Sequence, residues 1–135
     1  MKHPYSDEFS VPPALILPAI VRIPRNAKAV REFRAKIDTA ADICAVPQSL
    51  IEDFRPPEFT KRFVRQTGRL EGTYWVTIEL DGNSYDVEAL SRSIPYVLIG
   101  RDILNELVLV ADGPNEVFEL QRPTPPQRRR GRGQN

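Results

Sequence analysis

The chain has 135 residues with 41% apolar and 27% charged content, which suits one soluble domain with a core and excludes a two-domain, bilobed enzyme. Its net charge of +1 hides an imbalance. Residues 122–135 carry Arg122, Arg128, Arg129, Arg130 and Arg132 and no acid, leaving 14 basic against 18 acidic residues in 1–121, so a body of −4 carries a tail of +5. One cysteine, Cys44, and one histidine, His3, exclude an internal disulfide and a Cys/His metal cage.

In chain order, residues 1–13 read as a flexible segment, 14–121 as the folded domain, and 122–135, with its prolines, glycines and arginines, as a disordered tail. His3 falls in the loose segment and is given no role. The apolar run from Ala14 to Val21 is interrupted by Pro18 and is far below the roughly 20 residues that cross a bilayer. No signal peptide pattern precedes it, so a cytoplasmic location is expected. Period-2 alternation recurs and a sustained 3.6-residue period does not, which makes the fold mainly β. Phe33 to Ile37 alternates apolar and basic, as a half-buried strand does, and Asp38 follows at its end. Pro47 suits the start of a short helix through Phe54, stopped by Pro56-Pro57. Residues 57–73 are basic, with Lys61, Arg62, Arg65 and Arg69, and hold only Gly68 and Gly72. Trp75 reads as a core residue. Val76–Leu80 and Tyr85–Ala89 form a hairpin about Asp81-Gly82-Asn83-Ser84. Tyr96–Ile99 is an apolar strand stopped by Gly100, after which Asp102 caps a short helix from Ile103 to Leu107. Leu107–Val110 and Val117–Leu120 form a second hairpin about Asp112-Gly113-Pro114-Asn115.

Chemistry concentrates in Ile37-Asp38-Thr39-Ala40-Ala41-Asp42, where a strand delivers a carboxylate into a loop of small residues. Taken alone, both aspartates are ordinary turn formers. The second signal lies sixty residues on, in Leu98-Ile99-Gly100-Arg101-Asp102-Ile103-Leu104. Together the two segments resemble, in order and spacing, the retropepsin-like aspartic proteases, single-domain relatives of pepsin, in their bacterial branch. Val46-Pro47 before a helix and Asp112-Gly113-Pro114-Asn115 before a last strand add to the likeness, which covers roughly residues 14–120.

The resemblance implies a retropepsin-like closed β-barrel or sheet with one or two short helices, acting as a homodimer, and an aspartic endopeptidase that takes peptide or protein substrates without metal, cofactor or membrane. It implies that Asp38 is the catalytic carboxylate, one from each subunit, and that Thr39 and Ala40 form the active-site loop, with the Thr39 hydroxyl locking the two loops across the dimer. Ala41, Asp42 and Ile99 would contact substrate; Gly100 and Arg101 would support the loop, Arg101 as ion-pair partner of Asp42. Residues 57–73 would be the flap; its charges would favour acidic peptides, while a solvated hairpin face explains them equally well. Two departures, Ala40 where the family has glycine and the glycine-poor flap, leave a second reading open: a catalytically silent dimeric binding or assembly module on the same fold. Cys44 reads as a small buried residue. The basic tail could contact nucleic-acid phosphates, but a short basic terminus is more often simply solvated, and that reading is preferred.

Overall fold

The computed structural model describes residues 1–124. Strands β1 (Lys2–Ser6), β2 (Ala14–Arg22), β3 (Val30–Ile37) and β4 (Ala45–Pro47) lead into helix α1 (Gln48–Phe54). Strands β5 (Thr60–Val64), β6 (Arg69–Leu80), β7 (Asn83–Arg92) and β8 (Val97–Ile99) precede helix α2 (Arg101–Leu104), and β9 (Val108–Asp112) and β10 (Val117–Gln121) complete the order. The fold is mainly β with two short helices, as the alternation predicts.

The sheet closes on itself. Its order is β5-β6-β7-β4-β8-β3-β2-β1-β10-β9, and β6 also pairs with β2, so six strands form a ring from which β5 extends at one point and β1, β10 and β9 at another. Closure removes the free edges of those six strands and places one face inside. The inward residues follow period 2: Leu17, Ala19 and Val21 on β2, and Val76, Ile78 and Leu80 on β6 are buried. Each buried Leu, Ile or Val among them stabilises the folded state by about 1.5–3 kcal/mol.

The β6–β7 hairpin turns on two residues, Asp81 (φ 50°) and Gly82 (φ 79°), which matches the right-handed twist of its strands. The β9–β10 hairpin also forms where expected, with Val117 opposite Asp112.

Three expectations need correction. Residues 1–13 are not a loose segment throughout, because β1 is held by β10 through Lys2–Pro4 and by β2 through Tyr5 and Ser6. His3 is buried, with Nε2 2.8 Å from Asp81 Oδ1 and its ring against Phe118 at 5.4 Å between centroids. Trp75 is not a core residue: it is 41% exposed and packs on Phe59 at 5.1 Å. Val76 and Ile78 take the inward positions beside it, so alternation turns Trp75 outward. Finally, Asp102 does not cap α2. Gly100 occupies that position and Asp102 lies within the first turn. Of the tail, Arg122 donates to Asn83 Oδ1 at 3.3 Å, and residues 125–135 lie outside the described residues.

Candidate active site

Strands β3 and β8 run parallel, with Ile37 opposite Ile99, so their C-terminal ends finish side by side. Asp38 follows one end and Gly100 the other, and the Asp38 N–H donates to the Ile99 carbonyl at 2.9 Å. The approach is close enough to require glycine: a Cβ on Gly100 would stand 2.6 Å from the Ile43 carbonyl carbon and 2.7 Å from its oxygen. This is the physical reason for a glycine after an apolar strand.

The Asp38 carboxylate is half-buried. Its Oδ1 accepts from the Ala40 N–H at 3.0 Å, and its backbone carbonyl accepts from the Ala41 N–H at 3.2 Å. This is the self-bonded turn that aspartate favours after a strand. Ala40 brings no left-handed strain: the non-glycine residues with positive φ among those described are Arg25, Arg55, Asp81 and Glu116. Alanine is therefore compatible with this loop.

Arg101 ties the loop together. Its Nη1 donates to the Thr39 carbonyl at 2.9 Å, its Nη2 meets the Asp42 carboxylate, and its backbone N–H donates to the Ala41 carbonyl at 2.9 Å. The Arg101–Asp42 pair inferred from the resemblance is thus present, and Thr39 is exposed at the crest of the loop.

A second tie was not read from the sequence. Asp102 accepts from the Cys44 N–H at 3.2 Å and from its thiol at 3.1 Å, while Cys44 Sγ accepts from the Gly100 N–H at 3.4 Å. Burial, reinforced by the Asp102 carboxylate, pushes the Cys44 thiol far above its ordinary value, so it stays protonated and serves as a donor. The Asp102–Cys44 contact spans 58 positions, and no local pattern announces it.

Asp38 opens onto a cleft of about 610 Å³. Its floor includes Ala40, Ala41, Asp42, Ile43 and Leu98, and its other side is formed by Arg62, Phe63, Val64, Arg65 and Gln66 of the β5–β6 hairpin, with Leu90 and Arg92. The expected flap segment is thus a hairpin facing Asp38. Its loop closes on the Val64 carbonyl, which accepts from the Thr67 and Gly68 N–H groups, and Gly68 supplies the positive φ of 68°. Ile99, expected to contact substrate, is fully buried, and Leu98 lines the cleft in its place. The correction is one residue of strand alternation.

No protein-family model and no curated protein matches the chain. Solved structures do. A retropepsin-like aspartic protease from Rickettsia conorii superposes with a TM-score of 0.58 at 9% identity, over 89% of this chain and 90% of that one. The EIAV protease, solved with the inhibitor HBY-793, gives 0.52 at 18% identity, over 72% and 90%. The fold is retropepsin-like. The foamy viral protease-reverse transcriptase, solved with an RNA/DNA hybrid, gives 0.51 at 16% identity over 67% of this chain, which spans only 12% of that longer protein. On the retropepsin-like frame, the Asp38 loop and the β8–α2 segment meet at the floor of the cleft.

Proposed function

We propose that the protein is an aspartic endopeptidase in which two copies of the chain bring their Asp38 carboxylates together. The observation that carries the reading is the half-buried Asp38 in a cleft faced by a hairpin, on a retropepsin-like fold. One chain offers one such carboxylate, and the chemistry needs two, about 3 Å apart, which a twofold axis provides. Carboxylates that close cannot both ionise, so the pair shares one proton. The ionised member takes a proton from water as that water attacks the scissile carbonyl, and the protonated member hydrogen-bonds the carbonyl oxygen. The proton then passes to the leaving amine. Thr39, exposed beside Asp38, would join the two loops, and Asp42 and Leu98 would contact the peptide.

The test is peptide cleavage by wild type and Asp38→Asn. The variant is expected to lose at least about a thousandfold in kcat/KM while remaining dimeric by sedimentation. Undiminished turnover would refute the assignment. Intact dimers of wild type that cleave nothing in a degenerate peptide library, and do not bind a statine-type mimic of the tetrahedral state, would instead establish a silent assembly module.

A further inference from the structure

We propose that the cleft selects peptides with an acidic side chain near the scissile bond, and that Arg65 is the residue that reads it. The inference rests on the peptidase reading above and deepens it.

Three arginines, Arg62, Arg65 and Arg92, line the cleft together with two aspartates, Asp38 and Asp42. Most of these charges are already matched. Asp42 pairs with Arg101. Arg62 directs Nε and Nη2 to one oxygen of Glu88 at 2.9 and 2.6 Å, and Arg92 places Nη1 on Glu71 Oε1 at 2.5 Å. Both arginines are thereby committed to holding the hairpin to its neighbours.

Arg65 differs. It makes no ion pair among the described residues, is exposed, and opens the hairpin loop directly after β5. Phe63, which also lines the cleft, is 62% exposed and offers an apolar contact beside that charge. Arg65 therefore brings an unmatched positive charge, with five donors and no acceptor, to the rim of the cleft. A substrate carboxylate satisfies it in charge and in fork geometry. A neutral amide of the same shape satisfies only its hydrogen bonding, and a lysine side chain is repelled.

The experiment separates recognition from catalysis. Fluorescein-labelled peptides carrying Glu, Gln or Lys at each position in turn are titrated into the Asp38→Asn protein, and the same unlabelled peptides are given to wild type for turnover. Glu is expected to bind about tenfold tighter than Gln at one position or more, with Lys weakest. Arg65→Ala should bring the Glu/Gln ratio close to one, and Arg65→Glu should favour Lys; circular dichroism confirms that both exposed-loop variants fold. In wild type the preference should fade as pH falls through about 4.3, where the substrate Glu itself becomes neutral. Equal binding of Glu and Gln peptides, a preference that survives Arg65→Ala, or no peptide binding at all overturns the proposal. Glu-selective binding without turnover upholds recognition by Arg65 and removes the peptidase reading, while turnover without Glu/Gln discrimination does the reverse.

Discussion

Gly100 and Asp38 illustrate how much of the site depends on single atoms. The Gly100 α-carbon lies against the Ile43 backbone, with no flexible side chain to move aside. Gly100→Ala must therefore displace main chain at the loop that presents Asp38. The cost expected for such overpacking is about 1–3 kcal/mol, measurable by urea unfolding, and peptide turnover should fall by more than stability does because the carboxylate itself moves. A variant as stable and as active as wild type would mean that the loop tolerates the shift and that this glycine does not set the position of Asp38. Arg101 acts on the same loop from the other side, through the Thr39 carbonyl and Asp42. Since both its partners are exposed, its contribution is to loop geometry more than to global stability.

At the scale of elements, two contacts secure parts of the sheet that the ring itself does not hold. His3 fastens β1 to the β6–β7 turn through Asp81, whose Oδ2 is buried without a partner. His3→Ala would leave that half-buried carboxylate with no partner on either oxygen, and a loss of about 2 kcal/mol is expected in chemical unfolding; a change below about 0.5 kcal/mol would show that β10 and β2 hold β1 unaided. The β5–β6 hairpin is fastened by Glu88, which accepts from Arg62 and, at 2.9 Å, from the Thr73 hydroxyl. The Arg62 hydrogen bond first, and the Thr73 bond after it, hold the Glu88 carboxyl below its ordinary 4.5. Because the folded value is the lower one, this stabilisation is fully present above pH 4.5 and is lost as pH falls through the folded value. It amounts to about 1 kcal/mol once screening of the half-exposed Arg62 is allowed for. Glu88→Gln should flatten that part of the acid limb of stability against pH, and an unchanged limb would assign it to other carboxylates. These contacts also mark where the sequence stopped being informative. Asp81-Gly82 between alternating runs announces its own hairpin, and Asp38 and Gly100 carry local signatures of strand end and close approach. In contrast, β1 and β2 contain Pro4 and Pro18, which obscure a strand pattern. Pro18 is accommodated because β2 pairs there with β3 alone, β1 taking Ala14 and Leu15 and β6 taking Ile20 to Arg22. The Asp102–Cys44 tie joins residues 58 positions apart that meet only because β4 pairs with β8. The choice of Leu98 over Ile99 for the cleft turns on a parity that an all-apolar strand does not reveal.

For the molecule as a whole, the proposed chemistry makes activity a property of pairs of chains, and that has a stoichiometric consequence. If each active centre needs Asp38 from both subunits, a heterodimer of wild type and Asp38→Asn is inactive. When an equal amount of Asp38→Asn protein is added to a fixed amount of wild type and subunits exchange freely, about a quarter of all dimers contain two wild-type chains, so total activity should drop by about half. Further variant should lower it further, in proportion to the wild-type fraction. Diluting wild type alone should reduce specific activity, since dissociation separates the two carboxylates, and the loss should reverse on concentration. The two experiments fail in different ways. Activity unaffected by excess Asp38→Asn, with exchange confirmed by mixing differently labelled subunits, would mean that one chain carries a complete centre. Specific activity that stays constant on dilution while the variant still suppresses it would mean only that the dimer is tighter than the lowest concentration reached. Half-loss on mixing, together with dilution-dependent activity, is the outcome expected if the retropepsin-like frame of this chain holds half of an active centre.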